Sequence, residues 1–449
     1  MNETIAAIST AMGNSALAIV RISGPQAIFV VNSIFQGPSL ERMHSHSVSY
    51  GHIIDHEVVI DEVLVTVFRA PKTFTAEDLV EITCHGGSFV TRKILSLLLG
   101  AGARLAEPGE FTKRAYLNGR IDLTQAEAVM DMIESETDAA LKMANIALSG
   151  ATKKYINTLR NQLLQCILNI EVNVDYPEYE DETQITASLL IPTLTSVADQ
   201  LQDVLRKSDI GKLIQHGIKT AIIGKPNVGK SSLLNALLKE ERAIVTNVAG
   251  TTRDTIEASL RLGGVVLQLI DTAGIRSTSE LVERMGIERA KAVIRQADLI
   301  ILVFDNSVPL DENDQLILEL TADKKRLIVV NKQDLATRIN LRELSHYRMV
   351  SSFEPKDIDL LEKDIQEICL QNIEIDIDET YIGSLRQIEK IKLAFFHIQE
   401  ALASLRNKMP IDIANIDIRL SYDALSLIVG EATSENIQEE LFKRFCLGK

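Results

Sequence analysis

Residues 224–231 read GKPNVGKS, and this stretch decides the fold of the middle of the chain. It fits the pattern GxxxxGK[ST], follows a β-rich run at 220–224 and precedes a helical stretch at 232–238. Glycines let backbone N–H groups close around a phosphate at a helix N-terminus, Lys230 suits the β- and γ-phosphates, and the Ser231 hydroxyl suits Mg²⁺. We predict a phosphate-binding loop, with a merely glycine-rich turn as the alternative.

Strand and helix patterns alternate on both sides of this loop. Short β-rich runs stand at 220–224, 265–271, 299–305, 327–331 and 349–352, with helical stretches between them. Strands that alternate with helices form parallel sheets covered on both faces. Residues 218–352 are therefore predicted to form a doubly wound α/β domain with a mostly parallel sheet.

Three further motifs follow the order that a nucleotide site requires. GTTRD at 250–254 stands where a switch loop brings a threonine to Mg²⁺, and DTAG at 271–274 offers an acidic residue to the metal and a glycine N–H to the γ-phosphate. NKQD at 331–334 ends in Asp334, whose carboxylate can accept from the ring N–H and the exocyclic amine of guanine. Adenine lacks that donor pair, so the motif favours GTP over ATP.

Length and composition bound the rest of the chain. Its 449 residues, 46% of them apolar, suggest about three domains. Its net charge of −15 argues against non-specific binding of polyanions, so any RNA-binding surface is expected to be a local basic patch. The widely spaced cysteines indicate a reducing compartment, and without a signal-peptide or membrane-helix pattern the chain is predicted to be cytoplasmic and not bound to a membrane. The cysteines are Cys84, Cys166, Cys369 and Cys446.

The flanks of the α/β region differ from it. Residues 1–118 mix β-rich runs at 17–22 and 58–68 with helical stretches, which indicates a separate α+β domain. Apolar residues recur at helical spacing over 123–148, 156–170, 385–405 and 437–445, and Thr124 with Glu127 forms a predicted capping box. We predict a helical domain in two parts, 119–214 and 375–449, with an α/β domain at 215–374 inserted between them.

Motifs along the whole chain carry a family resemblance. They are RISG at 21–24, EITCHGG at 81–87, PGEFT at 108–112, LTQAEA at 123–128 and RFCLGK at 444–449. With the nucleotide motifs they resemble the MnmE (TrmE) family of tRNA modification GTPases, in the TrmE–Era group. The resemblance implies a multidomain fold: an α+β N-terminal folate-binding-like domain that forms a homodimer, a helical domain, and an inserted Ras-like α/β P-loop G domain.

The resemblance also assigns roles in hydrolysis. Ile275 stands where Ras-like enzymes have a glutamine that positions water, and Glu283 is implied to take that role, a solvated helix residue being the alternative. Potassium is implied to replace an arginine finger, bound by Asn227, Thr246, Val248 and Thr251, while Ser231 and Thr252 hold Mg²⁺. The alternative for Asn227 is a turn former. The predicted nucleotide-site residues are Asn227, Val228, Gly229, Lys230, Ser231, Ser232, Thr246, Asn247, Val248, Ala249, Gly250, Thr251, Thr252, Asp271, Thr272, Ala273, Gly274, Asn331, Lys332, Asp334, Ser351 and Ser352.

A second set of residues is implied to bind a 5-formyltetrahydrofolate-type donor. Its members are Arg21, Glu81, Arg120 and Lys449. Glu81 is suited to the pterin amine and ring N–H, and Arg120 replaces the lysine usual in the family, a surface arginine being the alternative. Cys446, in the terminal Cys-x-Gly-Lys, is associated with the modification step; a partly buried thiol is the alternative. His85 is predicted to be a structural histidine, since no second His or Asp stands at useful spacing.

Two functions are weighed. The resemblance implies a potassium-dependent GTP hydrolase that modifies C5 of the wobble uridine of certain tRNAs to (carboxymethyl)aminomethyl, using a folate one-carbon unit. Its partner is an MnmG/GidA-type flavoprotein that carries FAD, in a heterotetramer or larger complex. The alternative is an Era-like regulatory GTPase in ribosome assembly, which calls for a basic RNA-binding module after the G domain. Residues 375–449 carry apolar-striped helices instead, which favours the first function.

Overall fold

The computed structural model describes residues 3–175, 187–237, 256–262, 265–270, 285–370, 382–431 and 448. The chain divides into two compact units, one of residues 1–130, 147–197 and 393–449 and the other of residues 131–146 and 198–392. In the described ranges none of the helices has the length and apolarity that a membrane crossing needs. The domain boundaries at 118, 214 and 374 stay predictions.

The first unit contains a seven-stranded sheet in the order β3-β4-β5-β6-β2-β1-β7. Its strands are β1 Ile5–Ile8, β2 Leu17–Ser23, β3 Phe35–Gln36, β4 Ser47–Asp55, β5 Val58–Phe68, β6 Leu79–His85 and β7 Arg104–Leu105. Three helices accompany it: α1 Ala27–Ile34, α2 Ser88–Gly100 and α3 Glu110–Leu117. The predicted α+β character of this region and its predicted strands at 17–22 and 58–68 agree with these elements.

The period of two along the strands separates the faces of this sheet. Val20, Ile22 and Ile82 are buried in a core that includes Ile94 and Leu98 of α2. Arg21 alternates with them and faces the other side. There Ile5 and Ala7 of β1 join Ala106, Phe111 and Phe74 in a second, smaller cluster. This smaller cluster lies beside Arg21, in the second of the candidate sites described below.

Six long helices lie outside the two sheets, and the division between the two units runs through several of them. They are α4 Leu123–Glu134, α5 Asp138–Leu148, α6 Ala151–Asp175, α7 Ala187–His216, α12 Leu385–Arg406 and α13 Ile411–Val429. The predicted stripe of α6 is buried throughout, at Ile156, Leu159, Leu163, Cys166 and Ile170. α13, which the sequence did not predict, packs along α6. The predicted stripe at 437–445 lies outside the described residues.

The predicted helical stretch at 123–148 is two helices, and its predicted capping box is wrong. Asp122 Oδ1 accepts from the backbone N–H groups of Thr124 at 2.8 Å and Gln125 at 3.0 Å, and Gln125 Oε1 accepts from Asp122 N at 3.0 Å. The reciprocal pair is therefore Asp122 with Gln125, two residues before Thr124 and Glu127. Both pairs fit the spacing, but the helix begins at Leu123 and only Asp122 precedes it.

The second unit contains a six-stranded sheet in the order β13-β12-β11-β8-β10-β9. Its strands are β8 Ile218–Ile223, β9 Ile256–Leu262, β10 Val265–Ile270, β11 Leu299–Asp305, β12 Arg326–Asn331 and β13 Tyr347–Met349. Its helices are α8 Lys230–Leu237, α9 Met285–Gln296, α10 Glu312–Leu320 and α11 Pro355–Leu370. The sheet is parallel except for β9, an antiparallel edge strand that the sequence did not predict.

This sheet is covered on both faces, as the α/β prediction requires. β11 is buried at every position. Leu233 and Leu237 of α8 and Leu361 of α11 pack on one face, and Ile294 of α9 packs on the other. The carboxyl ends of parallel strands meet at one edge of such a sheet, and ligands bind there. The loops after β8, β11, β12 and β13 meet at that edge.

Candidate functional site

The loop between β8 and α8 has no room for side chains at two glycines. A Cβ on Gly224 would lie 2.3 Å from the carbonyl oxygen of Val303, and one on Gly229 would lie 2.2 Å from Asn331 Nδ2. Gly229 also has φ +98°, a left-handed conformation that glycine adopts without strain. The loop backbone therefore lies against β11 and β12, in the form that a phosphate cradle needs.

Lys230 is the first residue of α8 and reaches back over the loop. Its Nζ donates to the carbonyl oxygens of Gly224 and Lys225, each at 2.7 Å. Burial lowers the pKa of this ammonium, because removal from water penalises its charge. An anionic phosphate at the loop restores the favourable environment for that charge. Ser231 and Ser232 follow on the exposed start of α8.

Lys225, which the sequence analysis did not single out, has a different environment. Its Nζ pairs with Asp311 Oδ2 at 2.8 Å and with Asp314 Oδ2 at 2.6 Å. Asp311 is also the N-cap of α10 and forms a capping box with Asp314. Lys225 therefore ties the loop to α10, and of these neighbouring lysines only Lys230 is directed into the loop.

Asn227 stands at the tip of the loop. Its side chain is exposed, and its backbone has φ +65°. Asparagine tolerates this left-handed region better than most residues, which agrees with its alternative role as a turn former. An amide oxygen is also a good ligand for a monovalent cation. The geometry therefore fits the implied potassium ligand as well as the turn.

Asn331, at the end of β12, connects the loop to the base-reading motifs. Its side chain is buried, its Nδ2 donates to the carbonyl oxygen of Val228 at 3.0 Å, and its Oδ1 accepts from Ser352 Oγ at 3.0 Å. Both ends of the amide are thus used within the protein. Asn331 holds the phosphate loop and the loop after β13 in register.

Asp334 is the exposed carboxylate of this motif. Its Oδ1 accepts from Ser351 Oγ at 2.8 Å, while Ser351 N donates to Asp357 Oδ2 at 2.8 Å. The hydroxyl orients the carboxylate and leaves acceptor capacity for a base edge. Asn331, Asp334, Ser351 and Ser352, predicted from separate motifs, are therefore brought together at one edge of the sheet.

Lys332 has a partner that sequence reasoning missed. Its backbone has φ +62°, and its Nζ pairs with Asp305 at the end of β11. Burial would raise the pKa of Asp305, but hydrogen bonds from Lys332 and Ser307 outweigh it and hold the pKa below its usual value. Asp305 is thus a charged anchor for Lys332. The sequence signal that could have identified Asp305 is its position as the last residue of the apolar run at 299–305.

The remaining predicted residues of this site, and two of the predicted residues near the C-terminus, lie outside the described residues. They are Thr246, Asn247, Val248, Ala249, Gly250, Thr251, Thr252, Asp271, Thr272, Ala273, Gly274, Glu283, Cys446 and Lys449. Their roles stay predictions.

In the first unit, Arg21 and Glu81 stand opposite each other on β2 and β6. Arg21 donates from Nε at 2.9 Å and from Nη2 at 2.7 Å, both to Glu81 Oε1. The Arg21 guanidinium also lies over the rings of Phe74 and Phe111, 5.6 and 5.7 Å from their centroids. Arg120 lies 5.1 Å from the Phe74 centroid and donates to the Phe74 carbonyl oxygen at 3.1 Å. Sequence reasoning missed both phenylalanines.

Gly448 brings the end of the chain to this cluster. Its carbonyl oxygen accepts from Ser9 Oγ at 3.1 Å and from Arg21 Nη1 at 3.4 Å. Its φ is +91°, and a Cβ there would lie 2.4 Å from the carbonyl oxygen of Ile8. Only glycine fits this close approach. Gly448 of the terminal Cys-x-Gly-Lys therefore lies beside Arg21.

The expectation that His85 has no His or Asp partner is wrong. His85 Nδ1 lies 2.6 Å from Asp61 Oδ1, and His85 N donates to Asp61 Oδ2 at 2.8 Å. The side-chain hydrogen bond to Asp61 raises the pKa of His85. The residues are 24 positions apart, and the pairing of β5 with β6 brings them together.

Comparisons with known proteins cover the whole chain and indicate one family. One family model, described as the N-terminus of the GTP-binding protein TrmE, matches residues 4–120, and another, the MnmE helical domain, matches residues 123–446. A relative from Bacillus cytotoxicus, named tRNA modification GTPase MnmE, is 46% identical over 100% of this chain and 99% of its own length. A relative of the same name from Acholeplasma laidlawii is 44% identical, with the same coverage.

Solved structures resemble part of the chain. The G domain of the T. maritima FeoB iron transporter is 28% identical and covers 34% of this chain and 98% of its own, with a TM-score of 0.26.

Proposed function

The chain belongs to the MnmE family of tRNA modification GTPases, and on that premise we propose that it hydrolyses GTP to drive modification of C5 of a tRNA wobble uridine. The observation that carries the nucleotide part is the arrangement at one sheet edge. There Lys230 closes a loop that has no room for a Cβ at Gly229, and Asp334 is held by Ser351. The product of the modification is a (carboxymethyl)aminomethyl group.

In this proposal the protein positions the triphosphate and stabilises developing charge. Backbone N–H groups of the loop and Lys230 hold the β- and γ-phosphates, and Asp334 accepts from the guanine edge. Ser231 and Thr252 would hold Mg²⁺, which neutralises phosphate charge when bound. Glu283 would orient the attacking water in place of Ile275. The hydroxyl of Ser231, next to Lys230 at the start of α8, is the type of oxygen ligand that Mg²⁺ prefers.

Potassium is the second cation of the proposal. Asn227, with Thr246, Val248 and Thr251, would hold it, and when bound it supplies the positive charge that an arginine finger supplies elsewhere. The exposed amide of Asn227 at the loop tip fits this role. The proposal therefore makes hydrolysis depend on which monovalent cation is present.

We expect GTP turnover to be at least about tenfold faster in potassium than in sodium at matched ionic strength, which corresponds to about 1.4 kcal/mol of transition-state stabilisation. The measurement is steady-state hydrolysis by the full-length protein. Asn227→Ala should lose the difference between the cations. Because alanine at φ +65° adds backbone strain, Asn227→Gly serves as the matched variant, removing the amide without that strain.

Potassium stimulation of Asn227→Gly equal to that of the wild type would contradict the ligand role. Equal slow rates of the wild-type protein in both salts would contradict potassium dependence itself and favour the Era-like regulatory GTPase.

The cluster around Arg21 is the proposed folate site. Arg21, Glu81 and Arg120 converge on Phe74, and the guanidinium bonds to Glu81 both end on Oε1, which leaves Oε2 to accept from a ligand. These groups fit a folate, whose flat pterin has donors on one edge and whose glutamate tail carries carboxylates. Bound folate would supply the one-carbon unit, Lys449 would add a positive charge, and Cys446 would act in the modification step.

We expect Glu81→Gln to weaken binding of 5-formyltetrahydrofolate about tenfold, because a charge-assisted hydrogen bond contributes roughly 1.5–3 kcal/mol and the amide replaces one acceptor with a donor. Isothermal titration calorimetry on the full-length protein measures it. Glu57→Gln, an exposed change in the turn between β4 and β5, is the control and should leave the affinity unchanged. If Glu81→Gln and Glu57→Gln bind the folate with equal affinity, Glu81 does not contribute to folate binding.

The partners complete the proposal. One face of the seven-stranded sheet exposes the apolar side chains Leu17, Val48, Tyr50 and Leu64. Such a face is suited to self-association, which supports a homodimer formed through the N-terminal domain at 1–118. We further propose an MnmG/GidA-type flavoprotein partner that carries the FAD, tRNA as the substrate, and a cytoplasmic location. The predicted segments 119–214, 215–374 and 375–449 remain part of this proposal.

A further inference from the structure

Phe353 has no role in the nucleotide site as described so far, although it lies in the loop that carries Ser351 and Ser352. Its side chain is 84% exposed, and no other large apolar side chain in the described ranges is more exposed. Removal of a phenylalanine ring from water lowers the free energy, so an exposed ring beside a ligand site is a candidate for contact with the ligand. Phe353 directly follows Ser351 and Ser352, in the loop after β13.

Hydrogen bonds fix this loop relative to the base-reading carboxylate. Phe353 N donates to Ser351 Oγ at 3.4 Å, and that hydroxyl donates to Asp334 Oδ1 at 2.8 Å. Ser352 Oγ donates to the buried Asn331 at 3.0 Å. The backbone of Phe353 is therefore connected to Asp334 through a single hydroxyl group.

The polar groups at this sheet edge can contact the edge of a purine base but not its faces. Asp334 accepts from donors on the edge of the base, and the Lys332 ammonium is held by Asp305. Neither interaction covers the broad π-surface of the base. Aromatic side chains cover such surfaces, and each stacked base contributes about 1–3 kcal/mol. Leu335, which is 46% exposed and follows Asp334, adds apolar surface nearby.

We propose that Phe353 stacks on the guanine base of the bound nucleotide and is a determinant of its affinity. This inference rests on the proposed placement of guanine at Asp334. The hydrogen bonds of Asp334 select guanine, whereas the ring of Phe353 contributes affinity by covering a face of the base.

The first test is nucleotide affinity, measured by calorimetry with GDP on the full-length protein. Phe353→Ala should raise the Kd for GDP about tenfold. Phe353→Tyr keeps the aromatic ring and should have the wild-type Kd. Phe89→Ala is the matched control, because Phe89 is 77% exposed on α2 in the other compact unit. It should leave the Kd unchanged. An unchanged Kd for Phe353→Ala would overturn the proposal.

The second test uses the absence of tryptophan from the chain. Phe353→Trp introduces a single tryptophan, whose emission should change on addition of GDP but not of ADP. Phe89→Trp should respond to neither nucleotide. If wild-type protein binds GDP and the emission of Phe353→Trp stays constant, the stacking proposal is wrong. If wild-type protein does not bind GDP, the proposed function fails and this inference fails with it.

Discussion

Asp334→Asn is expected to lower the affinity for GTP at least about 10³-fold and to raise the affinity for XTP, because a site built for hydrogen bonds strongly rejects a mismatched ligand. The carboxylate only accepts, which suits the ring N–H and exocyclic amine of guanine. The asparagine amide places a donor against that amine and leaves it unsatisfied. Xanthine carries an oxygen at the same position and accepts from the amide. Competition between the two nucleotides in a filter-binding assay measures the switch.

Asp323→Asn is the matched control for this change. Asp323 is exposed in the loop between α10 and β12, at the opposite edge of the same sheet, so the charge change is equal and the site is untouched. We expect the control to bind GTP as the wild type does. If Asp334→Asn also keeps wild-type affinity for GTP, then Asp334 does not contact the base and the assignment of the base edge is wrong.

Lys230→Ala is expected to reduce the kcat of GTP hydrolysis by about 10²–10³-fold, the usual cost of removing one preorganised donor to developing charge. The ammonium lies over the phosphate loop, held by the carbonyl oxygens of Gly224 and Lys225. No other lysine in the loop is directed into it, because Lys225 pairs with Asp311 and Asp314. The measurement is single-turnover hydrolysis at saturating GTP.

Lys225→Ala is the control, since it removes the same charge from the same loop. Its pair with Asp311 lies at the surface, but Asp314 is buried, so the change is expected to lower the free energy of unfolding. Because Lys225 is not directed into the loop, we expect the rate of the folded variant to stay within a few-fold of the wild type. Urea denaturation should show both variants folded. Equal losses of activity in the two variants would mean that loop integrity, rather than the Lys230 ammonium, controls hydrolysis.

The α/β domain was predictable to a large extent because its signals are local. The run at 299–305 coincides with β11, since a buried parallel strand is apolar along its whole length. The phosphate-loop motif lies between β8 and α8, as its pattern requires. β9 was missed, because an edge strand is recognised by its pairing with β10 rather than by its own composition.

The candidate sites were predictable in their motifs but not in their contacts. Asn331 and Ser352 carry motif signals, yet the hydrogen bond that joins them appears only when β12 and β13 lie side by side. Lys225 and Asp311 are 86 positions apart, and Asp61 and His85 are 24 apart. Phe74 carries no motif of its own, and its role between Arg21 and Arg120 follows from packing.

By itself the sequence determined the class of the protein, the order of its motifs and the type of chemistry each residue brings. These follow from short-range physics: hydrophobic period, glycine conformation, and the donors and acceptors of each side chain. Tertiary structure alone decided which lysine enters the loop, which helix residue forms the cap, and that Gly448 lies against Ile8 beside Arg21. Such contacts depend on strand register and packing between distant segments, and no local pattern encodes them.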